Sequence, residues 1–127
     1  MKKNFGFTFV ELLVVITIIG VIFASAIVAY TSITVRSRDT KRRSDLEAIR
    51  QSLEMCRSLV GSYPTTIYAV GGISCSDTGP VLMANVPTDP KVSSSCLSQY
   101  IYNRSSATTY VLTACQENGG TYQVTSP

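Results

Sequence analysis

FTFVELLVVITIIGVIFASAIVAYTSITV, Phe7 to Val35, decides how the rest of the chain is read. One acid, Glu11, stands near its start, and the run from Leu12 to Val35 carries no charge. No Lys or Arg falls between Glu11 and Arg36, so the carboxylate has no positive partner within the stretch. About 20 apolar residues are enough for a helix to cross a bilayer. An acid at the centre of such a helix costs about 2.5–3.5 kcal/mol on insertion scales, and less near the interface. An acid kept at its mouth is therefore read as a functional position. A short basic leader, Lys2 and Lys3, precedes it and ends at Gly6.

Working outward, Gly20 is the only glycine between Gly6 and Gly61, and the first proline is Pro64. This predicts one helix from Thr8 to Val60, about 80 Å long at 1.5 Å per residue. Its second half changes character. Leu46, Ile49, Leu53, Cys56 and Val60 recur at steps of three and four, an amphipathic stripe for packing against a domain. Gly61 suits the left-handed cap position, and Pro64 prevents the helix from resuming. A second stripe, about 100° round the helix, alternates in sign: Arg36, Asp39, Arg43, Glu47, Arg50, Glu54 and Arg57. Two readings of it stay open. It is a solvated face that satisfies itself through pairs worth a few tenths of a kcal/mol each, or some of its charges pair with another subunit.

The chain has 127 residues, room for one domain beyond the helix. Without the first 35 or so residues, about 90 remain, which bury a modest core and usually need staples. Cys56, Cys75, Cys96 and Cys115 all follow the apolar run, and their number and spacing favour two disulfides in an oxidising compartment. A zinc site is the rival, but there is no CxxC pair and no His, and four isolated Cys would be an unusual cage. The basic residues Arg36, Arg38, Lys41, Arg42 and Arg43 outnumber the leader lysines, so loop charge alone would put the C-terminal side in the cytoplasm. The cysteines argue for the opposite topology. The formal charge is +3, and loss of the two leader lysines would leave about +1. The Arg36–Arg43 cluster has no interleaved aromatic residues on which bases could stack, which argues against nucleic acid as a partner. Catalysis finds no constellation either: there is no His, and Ser and Thr have no evident activating base.

After Gly61 the composition shifts to Ser, Thr, Gly, Pro and Tyr. Gly71-Gly72, Asp77-Thr78-Gly79-Pro80 and Pro87-Thr88-Asp89-Pro90 are turn signals. Gln99–Tyr102 and Thr109–Thr113 read as strands joined by a loop over Asn103–Thr108, with a third short strand over Gly120–Val124. Asn103-Arg104-Ser105 matches a glycosylation sequon and is read as a plain polar loop. A hairpin pivot near Ser106 sets Cys96 opposite Cys115, leaving Cys56 and Cys75 as the other pair, although four cysteines allow three connectivities. The acids Asp77, Asp89 and Glu117 are scattered, with no closely spaced oxygen ligands for calcium. No metal and no cofactor are expected. The expected fold is α+β: one long N-terminal helix packed against a small C-terminal antiparallel sheet.

Lys2-Lys3-Asn4-Phe5-Gly6 followed by Phe7-Thr8-Phe9-Val10-Glu11-Leu12-Leu13 resembles the class III signal of type IV pilins and type II secretion pseudopilins. Ser44–Glu54 with Gly61-Ser62-Tyr63-Pro64 is similar to the helix end and Gly-x-Tyr-Pro turn of the major pseudopilin, and Val86–Pro90 is similar to its Pro-x-Asp-Pro segment. The resemblance covers about residues 1–65, more weakly 86–91. It implies a leader over 1–6 and an apolar membrane and assembly segment over 7–35; the amphipathic segment then covers 36–60 and the disulfide-stapled region 61–127. It further implies cleavage between Gly6 and Phe7 by a prepilin peptidase, methylation of Phe7, and pairing of Glu11 with the Phe7 amine of a neighbouring subunit. The implied product is a homo-oligomeric helical filament, a type IV pilus or a type II secretion pseudopilus. It is built with an inner-membrane assembly platform and minor pilins from subunits that wait in the inner membrane with a cytoplasmic N-terminus. The alternative is a membrane-anchored periplasmic domain, or a minor pilin for adhesion or DNA uptake. Val28 stands where many relatives carry Pro. The four cysteines resemble the stapled C-terminal regions of pilins more than the major pseudopilin.

Overall fold

A computed structural model describes residues 6–76, 79–93 and 96–127. The leader lysines Lys2 and Lys3, and Asp77-Thr78 of one expected turn, lie outside the described residues. A single helix, α1, runs Phe9–Val60 and ends at Gly61, whose φ of 77° places it in the left-handed region. The Gly61 N–H closes the end by donating to the Arg57 carbonyl at 2.8 Å. The chain divides between Thr34 and Val35 into two compact units.

Within Val35–Pro127, two antiparallel sheets follow the helix rather than the one expected. β1 (Ile73–Ser74) pairs with β2 (Val81–Met83), and β3 (Ile101–Ser106), β4 (Thr109–Cys115) and β5 (Thr121–Thr125) form a meander in that order. The β1–β2 pair was not expected from sequence. It depends on Gly72, at φ 92°, where a Cβ would lie 2.0 Å from the Met83 carbonyl oxygen; a side chain there would push β2 away. The expected Asn103–Thr108 loop is instead only Ala107-Thr108, because Asn103 and Arg104 stay in the ladder opposite Val111 and Tyr110. Gln99 and Tyr100 fall outside β3. The Tyr100 N–H is taken by the Tyr68 hydroxyl at 3.0 Å, and that hydroxyl donates on to the Pro87 carbonyl at 3.2 Å.

Leu46, Ile49, Leu53 and Cys56 pack on Tyr63, Ile67, Ile73, Tyr100, Tyr110, Leu112, Ala114 and Val124, all buried. Val60, the last residue of the expected stripe, is 47% exposed, since the core ends one turn earlier. The alternation in β4 turns Tyr110, Leu112 and Ala114 inward. Tyr63 meets Tyr110 edge to face at 4.6 Å between ring centroids. Two disulfides, Cys56–Cys75 and Cys96–Cys115, tie this unit together. The first anchors the segment after α1 to the helix itself, and the second joins the loop before β3 to the end of β4.

Candidate functional site

At the start of α1, Gly6, Phe7 and Thr8 are non-helical and exposed, with Phe7 at 86%. Thr8 is the N-cap. Its backbone N–H and its hydroxyl both donate to Glu11 Oε2, at 2.9 and 2.8 Å, while the Glu11 N–H donates to Thr8 Oγ1 at 3.3 Å. This reciprocal arrangement is a capping box. Glu11 thus has a role within its own helix that the sequence reading missed, although Thr8-x-x-Glu11 was there to signal it. Both Thr8 bonds fall on Oε2; Oε1 accepts none among the described residues.

From Phe9 to Ile33 every residue is exposed, including Leu12, Ile16, Ile19, Phe23 and Ile27. The helix is long and apolar enough to cross a membrane. Its hydroxyls are compatible with that solvent. Thr17, Ser25, Thr31, Ser32 and Thr34 each donate to a carbonyl one turn back, Val14, Ile22, Val28, Ala29 and Tyr30, at 2.8–3.1 Å. No polar side-chain hydrogen on those five residues needs water.

The second unit holds a charge centre around Arg42, which is fully buried. Its Nε and Nη2 donate to both oxygens of Asp89 at 2.7 Å each, a bidentate pair. Nη1 donates to Asp39 at 2.7 Å and to Glu117 at 3.3 Å. Arg38 forks onto Glu117 through Nε and Nη2, and Lys91 Nζ lies 3.5 Å away from it. Asp39 also accepts from the Glu117 N–H at 3.1 Å. The Arg38 hydrogen bond is the main reason that the Glu117 carboxyl titrates at about 2. Burial pushes the Asp89 carboxyl up, but the Arg42 hydrogen bonds and charge outweigh it and hold the group below its usual range. Arg42 is held more firmly protonated, chiefly by Asp89. Asp89 and Glu117, scattered in sequence, therefore meet on one guanidinium. Asp77 is outside the described residues.

The remaining charges of the second stripe, Arg36 apart, find partners nearby. Glu47 pairs with Arg50 at 3.3 Å. Glu54 accepts from the Tyr63 and Tyr110 hydroxyls at 3.0 and 3.2 Å. Burial, followed by Glu54, raises the Tyr110 pKa. Arg57 donates to the Tyr63 hydroxyl at 3.1 Å, and Arg43 lies over the Tyr122 ring at 5.2 Å. Arg36 is exposed and in no ion pair among the described residues. Asp45, outside the stripe, bridges Lys41 at 2.7 Å and the Tyr100 hydroxyl at 2.8 Å. Burial is the main cause of a raised Tyr100 pKa, and Asp45 adds to it. Arg42 and Asp89 were missed as a pair, being separated by 47 positions.

Asp89, Cys96 and Cys115 are close enough to suggest a metal set. The two sulfurs are bonded to each other, so neither is a thiolate, and Asp89 is already engaged by Arg42. This trio does not fit a metal ion.

A capped apolar helix with one acid in its first turn, followed by a small α+β unit, defines a pilin-like protein. The comparisons agree. Residues 1–27 match the prokaryotic N-terminal methylation motif. The chain is 39% identical over 56 residues to a probable minor fimbrial protein of Dichelobacter nodosus, covering 44% of this chain and 35% of the relative. It is 39% identical over 54 residues to a fimbrial protein of Pseudomonas aeruginosa, 42% and 35% of the two chains. It is 30% identical over 88 residues to type II secretion system core protein G of Dickeya chrysanthemi, 69% and 58%. The matches span about a third of the fimbrial relatives, 35% of their length. No solved structure matches. The chain is thus related to pilins and pseudopilins, whose families are structural rather than enzymatic, and it carries their prepilin-type N-terminus.

Proposed function

We propose that the chain is a structural subunit of a type IV pilus-like or type II secretion filament and polymerises through its N-terminal helix. The observation that carries this reading is the surface from Phe9 to Ile33, apolar and uncovered on all sides of the helix. Such a surface calls for lipid or for other copies of the helix. In this reading the subunit waits in the inner membrane with its N-terminus in the cytoplasm. A prepilin peptidase removes residues 1–6 and methylates Phe7. The assembly platform then moves the helix from lipid into the filament core, where residues 7–35 pack, while 36–60 carry the stapled region 61–127.

Glu11 has the chemistry for this transfer. Its Oε1, unused by Thr8, is open to the Phe7 amine of an adjacent subunit, and in low dielectric each charge offsets the desolvation of the other. Arg36 is the stripe residue best placed to pair between subunits, since among the described residues it is exposed and makes no ion pair, hydrogen bond or ring contact. A second reading is a minor subunit, supported by the likeness to the probable minor fimbrial protein of Dichelobacter nodosus. The test is intact mass of the protein from its native cells. The expected mass lacks Met1–Gly6 and gains one methyl; a full-length mature chain would remove the basis for assembly by this route.

A further inference from the structure

A polar hollow of about 520 Å³ lies between the segment after α1 and β3, away from the Arg42 centre. Its lining includes Ser62, Thr65, Thr66, Ser74 and Ser76, and Arg104 of β3. The Ser62, Thr65 and Ser76 hydroxyls make no hydrogen bond among the described residues. Arg104 makes no hydrogen bond or ion pair among them either, and its Nε is shielded from solvent without an acceptor. A shielded Nε–H without an acceptor is unusual, because buried donors are normally paired; the rest of the side chain is only part-buried.

No described carboxylate within the chain is available to pair with it. Apart from Asp77, which lies outside the described residues, every acid is engaged: Glu11 by Thr8, Asp39 and Asp89 by Arg42, Asp45 by Lys41, Glu47 by Arg50, Glu54 by Tyr63 and Glu117 by Arg38. No described carboxylate lines the hollow. An external anion can take the terminal nitrogens of Arg104 without breaking an internal pair. With one cation in the wall, a singly charged group matches better than a phosphate dianion, and a guanidinium fork fits a planar carboxylate. The surrounding hydroxyls suit a ligand that carries hydroxyls of its own, and the volume admits a molecule of monosaccharide size with room to spare.

We propose that this hollow binds a carboxylate-bearing polyol, a sugar acid, with Arg104 as its anion anchor. The site is independent of filament assembly and can fail without affecting that reading. The test follows the Arg104 Nε–H resonance of the full chain in detergent micelles during titration with glucuronate, acetate or glucose. Glucuronate should saturate the shift at lower concentration than acetate, and glucose should not shift it. Arg104→Gln, on the edge strand β3, should weaken glucuronate binding, followed on neighbouring backbone amides, by about tenfold or more, the worth of a charge-assisted hydrogen bond. Arg104→Lys should fall between the two, and Arg36→Gln should bind as the unchanged chain does. No saturable shift with glucuronate, equal binding of glucose, or undiminished binding by Arg104→Gln would overturn the proposal.

Discussion

Between Phe9 and Ile33, α1 exposes apolar side chains all round; between Asp39 and Cys56 the same helix buries Asp39, Arg42 and Asp45 together with Leu46, Ile49, Leu53 and Cys56. The first stretch bonds its Ser and Thr hydroxyls to its own backbone and leaves its apolar surface without a cover. The second satisfies both kinds of group inside one fold. The contrast separates what must be completed by other molecules from what is complete within the chain. Mutations in the two stretches should therefore report in different assays: assembly for the first, unfolding for the second.

The largest effect on folding should come from Arg42→Ala. It leaves Asp89, Asp39 and Glu117 facing one another without their shared cation, and stranding buried charge in this way costs about 3–5 kcal/mol. Chemical unfolding of the full chain in detergent, followed by tyrosine near-UV circular dichroism, should show it. Arg36→Ala, on the exposed face of the same helix, should stay within about 0.5 kcal/mol; equal effects would erase the contrast drawn here.

Cysteine removal should rank next. Losing a native disulfide from a domain this small costs about 2–5 kcal/mol. Cys96→Ser should lower the unfolding midpoint of the second unit and leave the helicity of residues 9–34 in detergent unchanged. Peptide mapping without reductant should recover Cys56 joined to Cys75 and Cys96 joined to Cys115.

Acid should loosen the second unit in a graded way. The Glu117 carboxyl titrates at about 2 in the fold against an ordinary value of 4.5, and Asp89 is shifted the same way. A depressed carboxyl pKa contributes stability that is present above the unfolded value and lost as pH falls through the folded one. The midpoint of unfolding should thus hold down to about pH 4.5 and decline from there toward pH 2, as thermal melts at stepped pH would record. A flat profile over that range would mean that Arg38 and Arg42 do not hold these acids as described.

The smallest effects belong to the apolar half. Thr8→Ala removes the N-cap and should cost about 1 kcal/mol of local helix stability, visible as faster amide exchange at Phe9–Glu11. Ser25→Ala should change nothing measurable in micelles, because its hydroxyl bonds only to the Ile22 carbonyl of its own helix.

How much of this was legible in sequence varies with distance along the chain. The helix, its end at Gly61 and the stripe Leu46–Cys56 follow from local spacing, and α1 has those features. The Thr8–Glu11 box was legible but overlooked, because a lone acid beside an apolar run draws attention to intermolecular partners before local ones. The Arg42 centre was not legible: Asp89 and Glu117 reach Arg42 from 47 and 75 positions away, through turns, strand register and a disulfide that no local pattern encodes. The alternating stripe misled in another way. Its residues are correctly spaced, yet Asp39 and Glu54 turn toward the fold, with buried Arg42 and the Tyr63 and Tyr110 hydroxyls as partners. The β1–β2 pair was hidden because two- and three-residue strands are too short to show a period.

The most direct measurement compares sheared filaments with membrane-bound subunit for the unchanged chain, Glu11→Ala and Glu11→Gln in cells that make the complete assembly machinery. If the uncovered helix is completed by other copies and Glu11 meets the Phe7 amine of a neighbour, both variants should be cleaved and inserted normally but should be lost from the sheared fraction. Glu11→Gln should fail like Glu11→Ala because it keeps the shape and loses the charge. Normal filament yield from both variants would contradict the account.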